Sequence, residues 1–501
     1  MNSWLDRLLE YSFSVRDFMW GNWMVALLVV TGIVLSVVTK FIQIRRLGNA
    51  LRLIVLGAKG KDYSSEDVGD ISPFAALMTA LAATVGNGNI AGVATAIATG
   101  GPGAPVWMWI SGFFGMATKY AEGFLGVKYR KVAEDGTMAG GPMYYIRHGM
   151  KGGGFSKVLA ATFAVCGAFA ALFGTGNMAQ SNSMALAFKS QFGVPPLLSG
   201  TVLTILVGLV IIGGIKRIGA VAERLVPGMI VFYFAGALAV ILANVAHILE
   251  AFEIIFASAF SAQAVGGALI GTSVQQALSL GVSRGVLSNE SGLGSAAIAQ
   301  SASKSSDPAK NGLIAMTGTF IDTLVVNTLT TLTIVLSGMW LFTPAVGVDL
   351  DKTKVIIDNL HPRVIEMAQQ VGYNLTNGGL SSTALTAAAF NTVIPFGMGG
   401  TIIAIASFLF GFTTLIGWAY YGEQCLEYIA GVKVKKPYRF IYIGLLFIGA
   451  NLQGQYLNIV WNVGDIANAM MAFPNLIGLL FLAGIVARVT NQSFSAGRRI
   501  Y

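Results

Sequence analysis

Charge is what this chain has least of. Asp, Glu, Lys and Arg make up 11% of its 501 residues, where a soluble domain carries about 25%, so a solvated surface around the whole chain is excluded. Cysteine is confined to Cys166, inside an apolar run, and Cys425, at the end of another, so the two are not expected to pair. His148, His247 and His361 fall in loops or at run ends, far apart in sequence. That leaves no metal-ligand spacing and no nucleophile–base pair inside an apolar segment, and catalysis is not expected. A G-x-x-x-x-G-K-[ST] phosphate loop is missing. Gly86-Asn87-Gly88-Asn89-Ile90-Ala91 fits G-x-G-x-x-A, but no strand precedes it and no acidic residue follows about 20 positions on. No organic cofactor, nucleotide or nucleic acid is implied. The N-terminus lacks a basic start and an Ala-x-Ala site, so residues 1–20, with Asp6, Glu10 and Asp17 among Trp4, Phe13 and Trp20, read as a retained amphipathic segment.

What the chain has in abundance is apolar length: 54% hydrophobic residues and a mean hydropathy of +0.68. Roughly 20 apolar residues cross a hydrocarbon core. Eleven such runs can be drawn, at 22–42, 71–98, 104–127, 157–180, 197–214, 225–247, 262–284, 312–338, 394–421, 438–459 and 464–487. The fold class is an all-α polytopic membrane protein with eleven transmembrane helices. Basic residues favour the cytoplasmic side. With the N-terminus outside and the C-terminus cytoplasmic, the inner set takes most of the 32 Lys and Arg, including Lys119 and Arg284, and leaves Arg7, Arg16, Lys189, Lys352, Lys354 and Arg363 outside. The net charge of +9 thus records topology.

The chain divides into residues 1–70, an outer segment, an extra N-terminal span and an inner linker; 71–247, a first five-helix repeat; 248–487, a second; and 488–501, a cytoplasmic tail. The first five spans begin inside and the second five outside, the mark of an inverted repeat. Each opens on a glycine-interrupted segment: residues 85–89, and Gly266-Gly267 through Gly271-Thr272-Ser273. Paired breaks of this kind point to a binding site between repeats. Residues 340–393 form a long outer loop, read as a lid, and 285–311 a Ser/Gly-rich inner loop, read as a gate, with simple connectors as the alternative for both.

Val85-Gly86-Asn87-Gly88-Asn89 interrupts the apolar run Ile71–Ala98 with two glycines and two asparagines. Irregular backbone at membrane depth is tolerated against protein or a wet cavity. An unwound segment exposes N–H groups that suit a carboxylate and carbonyls that suit Na⁺; a glycine kink for packing is the other reading. Thr413 and Thr414 offer adjacent hydroxyls, and Thr414 and Trp418 share a helix face at i, i+4, although such threonines commonly bond back one turn. Asp322 is an ionisable group inside a span, hence a functional candidate. A structural carboxylate bonded to Ser/Thr neighbours is its alternative. Asn327, five residues on, is not expected to share its face closely.

Gly100-Gly101-Pro102-Gly103-Ala104-Pro105-Val106-Trp107-Met108-Trp109-Ile110-Ser111-Gly112 resembles the signature of the alanine/glycine:cation symporter family. Gly88–Ala94, Arg284–Glu290 and Thr413–Trp418 support the likeness, which covers nearly the whole chain. Pro105-Val106 departs from the family's more usual aliphatic residue and Phe, which blurs the subfamily. The resemblance implies the leucine-transporter fold, with broken first and sixth core helices. It further implies a substrate site at Gly86, Asn87, Gly88, Gly267, Gly271, Thr272, Thr414 and Trp418. By the same likeness a sodium site falls at Ala82, Val85, Thr413 and Thr414, and a second ion site at Thr84, Asn89, Asp322 and Asn327.

The expected function is sodium-coupled uptake of a small neutral amino acid, alanine or glycine, by alternating access across a bacterial or archaeal cytoplasmic membrane. Na⁺ is the coupling ion, and the amino acid and the lipid bilayer are the partners. Proton coupling through Asp322 is the alternative; an ion channel fits less well, because a single central break and scarce charge do not make a continuous polar pore.

Overall fold

The computed structural model describes residues 4–60, 68–174, 176–260, 274–343, 380 and 382–495. Among these the chain is mostly helical, with one small hairpin, Lys131–Val132 against Met138–Ala139, and a single parallel bridge between Ile71 and Ser303. Six helical stretches are long and apolar enough to cross a membrane, in Asp6–Val38, Gly153–Phe192, Gly214–Ala243, Pro308–Leu336, Met398–Ala430 and Tyr456–Phe494. The pair Pro73–Thr84 and Gly88–Gly100, bent by 49°, makes a seventh. Helices also stand at the other expected runs: Ala104–Lys128, Pro196–Ile211, Val274–Asn289 and Lys435–Asn451. They are shorter or more polar.

Local chemistry fixes where the central helices start. Ser72 accepts the Ala75 N–H at 3.0 Å and Pro73 takes the first turn, where a missing N–H costs nothing. Asp307-Pro308 repeats the device, the carboxylate accepting from Ala309 at 2.8 Å and Lys310 at 3.3 Å. Each such cap contributes about 1 kcal/mol.

The expected inner loop 285–311 is corrected. Its first residues complete the helix Val274–Asn289, a turn occupies 290–294, and Ser295–Ser301 is a buried helix. Val274–Asn289 packs on Val93–Gly100, whereas Ser295–Ser301 packs on Pro73–Thr84. The segment is therefore a helix broken inside the protein. Polar Ser and Gly residues that look like solvated loop in sequence serve here as close-packing and turn residues.

Two residues of the expected inner basic set lie within helices. Arg284 lies within Val274–Asn289 and lines a central cavity. Lys119 lies inside Ala104–Lys128, 2% exposed, its Nζ without a hydrogen-bond partner. Of the expected lid, 344–379 and residue 381 lie outside the described residues; Ser382–Asn391 is a helix that packs on Gly88–Gly92 and on Met398–Ala430.

The hairpin is tied to the helix ends beside it by charge. Lys435 Nζ donates to Asp135 at 2.7 Å and to Thr137 at 3.0 Å and pairs with Glu427 at 3.1 Å. Arg439 grips Glu423 with two bonds of 2.6 and 2.7 Å. Burial raises the Asp135 pKa, but the bonds from Lys435 and Thr137 outweigh it and hold it at about 2.

Candidate functional site

The first break follows Thr84. Val85 leaves the helical region at ψ 88°, and the chain resumes as a π-helical turn, Gly88–Gly92, before Val93–Gly100. Asn89 folds back to satisfy the unwound backbone, its Oδ1 accepting the Gly86 N–H at 2.9 Å. The N–H groups of Asn87 and Gly88 have no partner among the described residues. Asn87 Oδ1 accepts from the Ser407 hydroxyl at 2.5 Å, while its Nδ2 is buried and unpartnered. Gly86 is required by approach: a Cβ there would sit 2.5 Å from Thr414 Oγ1.

The second break spans Glu290–Gly294, between Val274–Asn289 and Ser295–Ser301. Glu290, Gly292 and Gly294 all take positive φ, at 55°, 95° and 81°. For a glutamate that conformation is unfavourable and persists where surroundings impose it. Glu122 Oε1, from Ala104–Lys128, accepts the N–H groups of Gly292 and Gly294, both at 3.0 Å, and the Asn475 amide at 2.8 Å. Glu290 accepts the Trp418 indole N–H at 2.8 Å and the Ser295 hydroxyl. The signal for this break was present in Ser288-Asn289-Glu290-Ser291-Gly292-Leu293-Gly294-Ser295. Its polarity made it look like a loop.

Behind the first break lies a polar cluster. Asn89 Nδ2 donates to Asp322 Oδ1 at 2.7 Å and to Asn327 Oδ1 at 2.9 Å. Ser288 donates to Asp322 Oδ2 at 3.1 Å and Thr323 does so at 2.8 Å. Asp322 and Asn327 thus converge on one amide, which corrects the expectation that they do not share a face closely. The cause is local winding: Phe320–Asn327 is π-helical, and i→i+5 hydrogen bonding brings residues five apart into line.

Between the two breaks lies a cavity of about 180 Å³. Gly86, Asn87, Gly88, Thr84, Thr414 and Trp418, all read from sequence, line it. Thr413 does not; its hydroxyl donates to Phe410 O at 2.9 Å and meets Met229 Sδ at 3.4 Å. Thr414 also bonds back to Phe410 O, at 2.9 Å. Ala82, Val85, Asn89, Asp322 and Asn327 are fully buried. Gly267, Gly271 and Thr272 lie outside the described residues. Sequence reading missed Gln180, Ser183, Arg284, Ser288, Glu290 and Asp465 on the wall. Arg284 and Asp465 bring a basic and an acidic side chain to one small space, an arrangement suited to a zwitterion. In an engineered protein, about 150 Å³ admits benzene, six heavy atoms; alanine has the same number.

The model of the sodium:alanine symporter family matches residues 6–499. The chain is 47% identical over 477 residues to the sodium/alanine symporter AgcS of Methanococcus maripaludis, covering 95% of each. It is 33% identical to the probable sodium/glutamine symporter GlnT of Bacillus subtilis, covering 96% of this chain and 90% of that one. A manganese transporter of Eremococcus coleocola shares the fold at a TM-score of 0.51 and 16% identity, covering 87% of this chain and 91% of that one.

Proposed function

The chain belongs to the sodium:alanine symporter family, a family of transporters and not enzymes, and from this we propose that it takes up a small neutral amino acid, alanine or glycine, with Na⁺. The observation that carries the reading is the first break: two free N–H groups and the Asn87 amide open on a cavity of about 180 Å³. The substrate carboxylate binds the Asn87 and Gly88 N–H groups, with the Asn87 amide in reach. Na⁺ takes the carbonyls of Ala82 and Val85 and the hydroxyls of Thr413 and Thr414. A second cation would use Thr84, Asn89, Asp322 and Asn327.

Eleven spans in a five-plus-five inverted repeat, with the N-terminus outside, complete the proposal. The crosswise packing of the two broken helices supports it, since Val274–Asn289 lies on Val93–Gly100 and Ser295–Ser301 on Pro73–Thr84. The membrane is the bacterial or archaeal cytoplasmic one. Alternating access then exchanges the side on which the cavity opens. One Na⁺ crossing 100 mV releases about 2.3 kcal/mol, and a tenfold gradient adds about 1.4 kcal/mol. Together these sustain a concentration ratio of a few hundred.

Uptake of labelled alanine and glycine into proteoliposomes, with external Na⁺ replaced by choline at fixed pH, tests the reading. Uptake is expected to stop. Uptake that persists in choline and follows a pH gradient would transfer the coupling to a proton on Asp322.

A further inference from the structure

The Trp418 indole is held from three directions. Its N–H donates to Glu290 Oε1 at 2.8 Å, and Tyr421 stands edge-on at 5.6 Å between ring centroids. Gly176 closes the back: a Cβ there would lie 2.8 to 2.9 Å from three ring atoms. The ring is 2% exposed, so it has nowhere to retreat. Glu290 is itself immobilised, its other oxygen accepting from Ser295 and its backbone N–H bonded to Val286 O at 2.7 Å. Both Glu290 and Trp418 line the cavity.

We propose that Glu290 is the positioning residue that sets the size limit of the substrate, by holding the Trp418 indole against Gly176. This rests on the reading of the cavity as the amino-acid site. A carboxylate buried in the protein is costly to keep, and Glu290 is not among the groups proposed above for the substrate carboxylate or for sodium. Its work is to orient an aromatic wall. An indole released from Glu290 would swing and admit a longer side chain. An indole pushed forward from Gly176 would exclude even the methyl of alanine.

The test is competition for uptake in proteoliposomes, comparing glycine, alanine and 2-aminobutyrate, which is one methylene longer than alanine. In Glu290→Ala the preference for alanine over 2-aminobutyrate should fall about tenfold, the lower end of what one methylene is worth in a fitted pocket. Glu290→Gln should keep the wild-type ratio, because its amide oxygen accepts the indole N–H and its NH₂ can donate to Ser295. Gly176→Ala should lose alanine relative to glycine by about tenfold. Equal losses for all three substrates in Glu290→Ala would overturn the proposal, as would a Glu290→Gln ratio matching Glu290→Ala. Should Glu290→Ala fail to fold, an unchanged alanine-to-glycine ratio in Gly176→Ala overturns it alone. A wild type that takes up none of the three removes the site reading itself; one that discriminates by size with the variants unaltered removes only the role of Glu290.

Discussion

The two helix breaks leave the same polar groups stranded in a protein interior and answer them differently. At the first, a neutral amide three residues away takes one N–H, Asn89 serving Gly86 at 2.9 Å, and the N–H groups of Asn87 and Gly88 stay open. At the second, a carboxylate from another helix takes two, Glu122 accepting from Gly292 and Gly294, and Asn289 takes the Ser291 N–H at 2.8 Å. Open donors can receive a ligand; occupied ones cannot. In the proposed function the first break binds and the second holds shape, placing Ser288 and Glu290 on the cavity wall.

The largest expected effect comes from removing what holds the second break. Glu122→Ala strands two buried N–H groups, those of Gly292 and Gly294, and removes one of the two acceptors of the Asn475 amide. Each unsatisfied group costs about 1–3 kcal/mol. A melting temperature many degrees below wild type in detergent is expected, whether or not alanine is present. If Glu122→Ala melts like wild type and loses transport alone, the second break is a ligand site and the contrast collapses.

Asn89→Ala should be milder for the fold and harsher for coupling. It frees one backbone N–H and the amide contacts to Asp322 and Asn327, about 1–3 kcal/mol of stability. The sodium concentration for half-maximal uptake should rise severalfold, with a smaller change in the alanine requirement. A pure loss of stability with unaltered sodium dependence would confine Asn89 to scaffolding. In the same assay Thr413→Val should raise the sodium requirement by removing one of the proposed cation ligands; an unchanged requirement would move the ion site elsewhere.

The asymmetry between the breaks also explains which of them could be read from sequence. Asn87 and Asn89 stand out because the residues around them are apolar, and a polar pentapeptide inside a spanning run has few explanations. Ser288–Ser295 is just as decisive structurally, but only the six residues 296–301 separate it from Ala302–Asp307, which is polar too, so it merges with what looks like a connector. Burial is decided by helices far away in sequence. Glu122 and Trp418, which shape the break, are 168 and 128 positions from Glu290, a pairing that no local pattern announces. The convergence of Asp322 and Asn327 was hidden for a different reason. A face assignment assumes α-helical winding, and the π-helical turn at Phe320–Asn327 breaks that assumption. Thr414 and Trp418 were legible because their helix is regular.

Ser288 is where the two breaks meet, and its replacement gives the finest test. From the second broken helix its hydroxyl donates to Asp322 Oδ2 at 3.1 Å and accepts from Asn327 at 3.3 Å, joining the cluster that backs the first. Its backbone lies against Gly88, where an added Cβ would come within 3.3 Å of Ser288 Cα. Ser288→Ala keeps that packing and deletes one hydroxyl, worth about 0.5–1.5 kcal/mol. Asp322 retains Asn89 and Thr323, so the cluster should survive, the melting temperature should shift by a few degrees at most, and sodium affinity should weaken less than in Asn89→Ala. Alanine affinity measured at saturating Na⁺ should stay near wild type, because the Ser288 hydroxyl, although on the cavity wall, is bonded to Asp322 and Asn327 of the proposed second cation site. A Ser288→Ala protein that needs more alanine but no more sodium would place this hydroxyl on the substrate, and the second break would then share the binding task assigned here to the first.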